Sequence, residues 1–69
     1  MKKRSVNIHG HQTSITLEDE FWDALKNAAA EQDTSTNKLI AEIDDTRGKQ
    51  NLSSAIRVYI LKSLTEGSL

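Results

Sequence analysis

Three polar residues at alternate positions near the start of the chain carry groups that can hydrogen-bond the edges of nucleic-acid bases. Gln12, Ser14 and Thr16 alternate with Ile15 and Leu17, the period-two pattern of a half-buried β-strand. If the two apolar residues point to a core, the three polar residues point away from it. A Gln side chain can form two hydrogen bonds with adenine, and a Ser or Thr hydroxyl can bond several bases.

Each of these residues also has a simpler interpretation. All three could be ordinary solvent-facing residues of a strand. Thr16 forms the pattern Thr-x-x-Asp with Asp19, which could cap the following helix.

The basic residues at the N-terminus form a second candidate site. Lys2, Lys3 and Arg4 give residues 1–16 a charge of +3 with no acid, whereas residues 17–69 have six basic and ten acidic residues, a charge of −4. We predict that residues 1–10 are a flexible arm whose three basic side chains contact phosphate. A solvated tail is the alternative. Val6 and Ile8 keep the period of a strand, and the pattern is interrupted at a bend or bulge at Gly10.

A third candidate site lies where a second helix is expected to begin. The Thr34-Ser35-Thr36-Asn37 cluster has residues typical of turns and caps, and we predict Ser35 as the N-cap. The free N–H groups and the dipole at such a helix start attract anions, so Ser35, Thr36, Asn37 and Lys38 are candidate phosphate contacts. Capping without a ligand is the alternative.

Metal, cofactor and enzyme chemistry have little support in the sequence. His9 and His11 make an incomplete metal site, since the chain has no cysteine and no carboxylate precedes Glu18. We expect these two residues to contact phosphate when protonated or to pack on the strand. No nucleophile has a base at a recognisable spacing and no Gly-rich phosphate loop occurs, so we expect no catalysis and no cofactor.

The elements that position these residues are one strand and three helices. Apolar spacing and caps predict helices over residues 18–32, from Ser35 to about Gly48, and from a cap at Asn51 or Ser53 to about residue 66. The spacing of Phe21 and Trp22 favours a place in the core or an interface over base stacking.

The third helix has apolar residues around more than half of its circumference. It should therefore pack both on its own core and on a dimer mate. Arg57 on this helix should form a structural ion pair with Glu42, Asp44 or Asp45 rather than contact DNA.

A single strand leaves unpaired backbone groups at both edges, and a chain of 69 residues buries little surface. We therefore predict a homodimer in which the strand pairs antiparallel with its copy, and a two-stranded ribbon is narrow enough for the DNA major groove. No apolar run is long enough to span a membrane and no secretory segment is seen, so we expect a cytoplasmic protein.

The strand and the two helices after it resemble the ribbon-helix-helix DNA-binding superfamily. The resemblance covers about residues 11–45. It rests on the strand Thr13-Ser14-Ile15-Thr16-Leu17-Glu18 and on Phe21-Trp22-x-x-Leu25 in the first helix. It also rests on Ser35 followed by Leu39-Ile40 in the second helix, and on the step of nineteen residues from Thr16 to Ser35. A further match is to a short bacterial subfamily with a third helix, and it adds His11, Glu42-Ile43-Asp44 and the block Asn51-Leu52-Ser53-Ser54-Ala55-Ile56-Arg57-Val58.

The resemblance implies a mostly helical dimer, with residues 11–69 as the domain, that binds double-stranded DNA and regulates transcription. In that family the outward strand positions, here Gln12, Ser14 and Thr16, read bases, and the start of the second helix clamps a phosphate. Members of the subfamily often have arginines on the strand, where this chain has Gln12 and Thr16. A protein-interaction module or antitoxin-like partner that uses the third helix is the alternative function, and assembly of several dimers on DNA stays open.

Overall fold

The chain folds into a β-hairpin followed by three helices. The structure, a computed structural model, describes residues 2–67, with side chains described from residue 3 to residue 65. The elements are β1 (Lys2–Ile8), β2 (His11–Leu17), α1 (Asp19–Glu31), α2 (Thr36–Thr46) and α3 (Leu52–Gly67). The predicted ribbon-helix-helix class with an additional helix is confirmed, and the predicted helix bounds agree with the observed ones to within about two residues.

The strand partner differs from the one predicted. β1 pairs antiparallel with β2 of the same chain, from Lys2 opposite Leu17 to Ile8 opposite His11. The residues that we expected as a flexible arm are therefore a strand, and β2 is not a lone strand. Pairing of its second edge with a dimer mate stays a prediction.

A tight turn makes the hairpin possible. His9 and Gly10 have positive φ angles of 53° and 79°, as the two central residues of a type I′ turn require. This turn matches the right-handed twist of the strands, and glycine adopts the second position without steric cost. Gly10 therefore joins two strands that have the same apolar period, whereas the sequence pattern suggested only an interruption.

The inner face of the hairpin packs on the helices to form one core. Val6 and Ile8 of β1 are 4% and 6% exposed, so β1 is held by burial as well as by its backbone hydrogen bonds. The same inward-facing register positions include Arg4, opposite Ile15 and partly buried, and Thr13, opposite Val6 and exposed. The buried apolar residues of the described chain are Val6, Ile8, Ile15, Leu17, Leu25, Ala29, Leu39, Ile40, Ile43, Ala55, Ile56 and Ile60.

The caps of the second and third helices agree with those predicted from the sequence. The Ser35 hydroxyl accepts a hydrogen bond from the Lys38 backbone N–H at 3.1 Å, which confirms Ser35 as the N-cap of α2. Asn51 Oδ1 accepts one from the Ser54 N–H at 3.2 Å and so caps α3. The N-cap of α1 is Glu18, which makes no side-chain cap bond, so Thr16 does not cap α1 and that alternative role for it is excluded.

Two predicted packing roles are resolved by side-chain contacts. Phe21 and Trp22 are partly buried and pack against the core, as their spacing predicted. Arg57 forms a structural ion pair, but its Nε donates to Glu18 Oε1 at 2.8 Å and not to the acids of α2. Glu18 follows β2 directly, so this pair joins the exit of the hairpin to α3.

α3 has one buried face and one exposed apolar face. Ile56 and Ile60 are buried in the core, whereas Val58, Leu61 and Leu64 are 37%, 63% and 67% exposed. We call these three exposed residues the α3 stripe. No helix in the described part of the chain is both long and apolar enough to cross a membrane.

Candidate nucleic-acid interface

The outward side of the hairpin is a continuous polar surface built by both strands. Residues directly opposite each other in an antiparallel pair have their side chains on the same face. The register therefore places three pairs on this side, which we call the outer face: Lys3 with Thr16, Ser5 with Ser14, and Asn7 with Gln12.

All six side chains of the outer face are exposed. One of them is a lysine, five are neutral hydrogen-bonding residues, and none is acidic. The structure thus brings the three predicted base-contacting residues, Gln12, Ser14 and Thr16, onto one surface. It also adds Ser5 and Asn7, which the sequence reasoning missed because residues 1–10 were interpreted as an arm. The signal that could have found them was the period of Val6 and Ile8 on either side of Asn7.

Arg4 does not lie on the outer face. It is opposite Ile15, and its guanidinium carbon lies 4.6 Å from the centre of the Trp22 ring. Its Nη2 donates to Asp19 Oδ1 at 3.2 Å. These contacts attach β1 to the first turn of α1, so the charge of Arg4 is already paired within the fold.

The basic side chains of the predicted arm therefore do not share one surface. Lys3 is exposed at the open end of the hairpin and shares the outer face with the predicted readers. Arg4 faces inward. The side chain of Lys2 lies outside the described side chains, so its phosphate contact stays a prediction.

The start of α2 keeps the features of an anion site. Ser35 bonds one of the free N–H groups, and the first turn contains no acidic residue. Asn37 and Lys38 are exposed there, and Thr36 is half-buried. Asp33 and Lys38 line the same shallow concavity, so an approaching phosphate would meet one charge of each sign.

The opposite end of α2 holds the turn of the hairpin. His9 Nε2 lies 2.9 Å from Asp45 Oδ1, and both side chains are more than half exposed. The contact positions the turn end of the outer face relative to α2, whose length of eleven residues separates this contact from the candidate anion site by roughly 16 Å. His9 thus has an acidic partner within the fold, whereas we expected it to contact phosphate or to pack on the strand, and a phosphate contact stays untested.

Other ionisable groups near the hairpin are structural. The Arg57 guanidinium donates a hydrogen bond to Glu18 and lowers the pKa of that carboxyl below its ordinary value of 4.5. Arg47 Nε donates to Asp44 Oδ1 at 2.5 Å within the end of α2. Within residues 2–67, no three His, Cys, Asp or Glu side chains are grouped so that they could hold a metal ion.

Comparison with known proteins places the chain by its sequence. Neither the curated proteins nor the solved structures include a match to it. A protein-family model described as the ribbon-helix-helix domain matches residues 1–64, which includes both strands and nearly all of α3. The match covers almost the whole chain and agrees with the fold, so the chain belongs to the ribbon-helix-helix domain family.

Proposed function

We propose that this protein is a sequence-specific, DNA-binding homodimer that regulates transcription in the cytoplasm. Proteins of the family are generally DNA-binding transcription regulators or antitoxins, and they are typically not enzymes. The observation that carries the proposal for this chain is the outer face of the hairpin. It is exposed, free of acid, and made of side chains that can donate to and accept from base edges.

The dimensions of the hairpin suit the major groove. Its two strands are about 4.8 Å apart, and a two-stranded ribbon fits a groove about 12 Å wide. We propose that Gln12, Ser14 and Thr16 contact bases. Amide and hydroxyl groups recognise bases by hydrogen bonds, so these contacts supply discrimination more than electrostatic attraction.

Phosphate contacts must then position the ribbon. We propose Lys2, Lys3 and the start of α2, with Ser35, Thr36, Asn37 and Lys38, for this role. Arg4 is removed from this set because Asp19 and Trp22 already hold its side chain. The three lysine contacts per chain, Lys2, Lys3 and Lys38, make six per dimer and predict a slope of log affinity against log salt of about −5.4.

The dimer itself has support from the surface of α3. The α3 stripe leaves Leu61 and Leu64 about two-thirds exposed, and a chain of this size buries little apolar surface alone. A second copy packed on this stripe would cover it. Light scattering on the intact protein and on Leu61→Asp tests this arrangement. A dimer that becomes a folded monomer supports it, and an unchanged dimer contradicts it.

The test of DNA binding is a mobility shift with genomic fragments over a series of salt concentrations. Gln12→Ala should lose the preference for specific fragments, whereas Lys38→Ala should weaken binding to all fragments and flatten the salt slope. Lys26→Ala is the matched control, because Lys26 is an exposed lysine of α1 whose ion pair with Asp23 is long, at 3.8 Å. Folded wild-type protein that shifts no fragment at low salt would contradict the proposal.

A second candidate function is binding of another protein, as an antitoxin or adaptor does. The α3 stripe favours it, since exposed apolar residues at a helical spacing suit a protein partner. The same Leu61→Asp variant separates the two uses of the stripe. If the variant remains dimeric and binds DNA like the wild type, the stripe is available to a different protein.

A further inference from the structure

One edge of β2 has no strand beside it. In the described part of the chain the sheet has two strands only, so each strand has one open edge. β1 begins with Lys2, Lys3 and Arg4, and charged residues of this kind protect an edge from further pairing. β2 contains no Lys, Arg, Asp or Glu. Of the two open edges, the edge of β2 is therefore the one suited to pair with another strand.

α3 lies on the same side of the molecule as the open edge of β2. α3 packs on β2, whereas α2 packs on β1. Arg57 of α3 reaches the exit of β2, where its Nε is 2.8 Å from Glu18 Oε1. Leu61 comes one helical turn after Arg57 and so lies on the same face of α3. The α3 stripe is therefore next to the side of the hairpin that is open.

The helices of the chain cover the inner face of the hairpin less completely under β2 than under β1. Val6 and Ile8 of β1 are buried, but the β2 residues opposite them, Thr13 and His11, are exposed. Residues opposite each other in an antiparallel pair point to the same side of the sheet. Near the turn, the inner face is thus open along β2, where a second copy has room to pack.

A single two-fold axis can satisfy both the open edge and the α3 stripe. Two identical strands that pair antiparallel are related by a two-fold axis between them. Because α3 lies on the β2 side of the molecule, this axis also passes between the two α3 helices. The two surfaces match in length, since seven strand residues and sixteen helical residues each span about 24 Å.

The two surfaces also supply different parts of what a stable interface needs. A strand edge offers backbone hydrogen bonds but little apolar area, whereas a stable interface buries about 800 Å² on each partner. Val58, Leu61 and Leu64 of the α3 stripe offer apolar area that the strand edge lacks.

We infer that the open edge of β2 and the α3 stripe form one continuous interface with a second copy of this chain. In it, β2 pairs with its copy, and α3 packs on its copy beneath the paired strands. This inference rests on the homodimer of the proposed function and specifies how its two copies meet. If each surface instead had its own partner, every chain would contact two others, and tetramers or longer assemblies would form.

The test is chemical crosslinking of the full-length protein through single introduced cysteines, since the chain has no cysteine of its own. Ser14→Cys places a thiol on the exposed side of β2 at its middle residue, and Leu61→Cys places one in the α3 stripe. Ser5→Cys is the matched control for β2, because the two copies of Ser5 would lie about 14 Å apart across four strands. Ser63→Cys is the control for α3, since Ser63 is exposed but borders α1.

A short bismaleimide should convert Ser14→Cys and Leu61→Cys into covalent dimers and should leave both controls mainly monomeric on a denaturing gel. The double variant with both cysteines should give covalent dimers and nothing larger. Adding Leu61→Asp to Ser14→Cys should abolish the covalent dimer, and circular dichroism should show that this variant is folded.

Two results would overturn the inference while leaving the homodimer intact. One is a ladder of trimers and larger species from the double variant, which would show that the two surfaces bind different copies. The other is a wild type that is a dimer by light scattering while Ser14→Cys or Leu61→Cys fails to crosslink. A wild type that is monomeric by light scattering would instead remove the homodimer of the proposed function.

Discussion

Two neighbouring basic residues of β1 should have opposite roles, and replacing each in turn separates them. Arg4 faces α1, where Asp19 Oδ1 is 3.2 Å from its Nη2 and Trp22 lies beneath its guanidinium. Lys3 faces outward in the outer face. Arg4→Ala should therefore change the stability of the fold, whereas Lys3→Ala should change DNA binding.

The magnitude of the Arg4 effect follows from its surroundings. Its side chain is 28% exposed and Asp19 is 62% exposed, so solvent screens their ion pair, which contributes about 0–1 kcal/mol. The cation–π contact with Trp22 is partly desolvated and adds about 0.5–2 kcal/mol. A net loss of about 1–2 kcal/mol in the free energy of unfolding should lower Tm by about 5–15 °C in a domain of this size.

Lys3→Ala provides the matched comparison, because it removes a long basic side chain from the position of β1 immediately before Arg4. It should leave Tm nearly unchanged, since exposed substitutions away from special contacts cost little. Its salt slope should become shallower by roughly one for each phosphate that the protein no longer neutralises, or about two per dimer.

Thermal unfolding is measured by circular dichroism. DNA binding is measured at several salt concentrations, at a temperature well below the Tm of each variant. Arg4→Ala should keep the wild-type salt slope at that temperature. An Arg4→Ala variant with the wild-type Tm and a reduced salt slope would show that Arg4 contacts phosphate after all. The inward position of its side chain would then not persist in solution.

The remaining predictions concern the core, one ion pair and the reading surface. Ile15→Asp should unfold the protein, because Ile15 is 2% exposed and the substitution replaces a buried apolar side chain of the core with a carboxylate; loss of the helical circular dichroism signal measures this. Glu18→Gln should reduce stability at neutral pH by removing the partner of Arg57. Since the folded pKa of Glu18 is lowered, its contribution is present above the ordinary value of 4.5 and is lost as pH falls through the lowered pKa, so denaturant midpoints of variant and wild type should converge at acid pH. Thr16→Arg should strengthen binding to all DNA sequences and steepen the salt slope, because it adds a cation to the outer face; unaltered affinity for random fragments would contradict this placement.

The helices could be predicted from the sequence because their signals are local. Ser35 caps α2 as predicted, and Asn51, one of the two residues predicted as candidates, caps α3. The pairing of β1 with β2 in a hairpin was not predicted, because it depends on contacts that are not local. A positive φ at His9 is uncommon for a non-glycine residue, and the turn depends on the pairing of β1 with β2 and on the burial of Val6 and Ile8 against the helices, which local sequence patterns do not show.

The shared face of the candidate base-contacting residues could also be predicted, because its signal is local. Alternation along β2 is a local property, so the shared face of Gln12, Ser14 and Thr16 followed from it. The ion-pair partners of Arg4 and Arg57 are distant in the sequence. Arg57 lies thirty-nine residues from Glu18, and nothing in the spacing distinguishes that carboxylate from those of α2. Arg4 resembled part of a basic arm because its position opposite Ile15 depends on the register of the hairpin, which local patterns do not determine.

The distribution of charge has a consequence for how this protein would find its site. Arg4, Arg47 and Arg57 are each paired with an acid, and the chain as a whole has a net charge of −1. Affinity for DNA of any sequence comes mainly from unpaired cations near phosphate, so it should be weak in this protein.

Hydrogen bonds from the outer face must then supply a large share of the binding free energy at the correct site. Two hairpins held in one dimer would add such contacts without adding charge. The proposed function therefore needs the dimer more than a strongly basic relative would, and a variant that dissociates into folded monomers should lose specific binding more than a variant that loses one lysine.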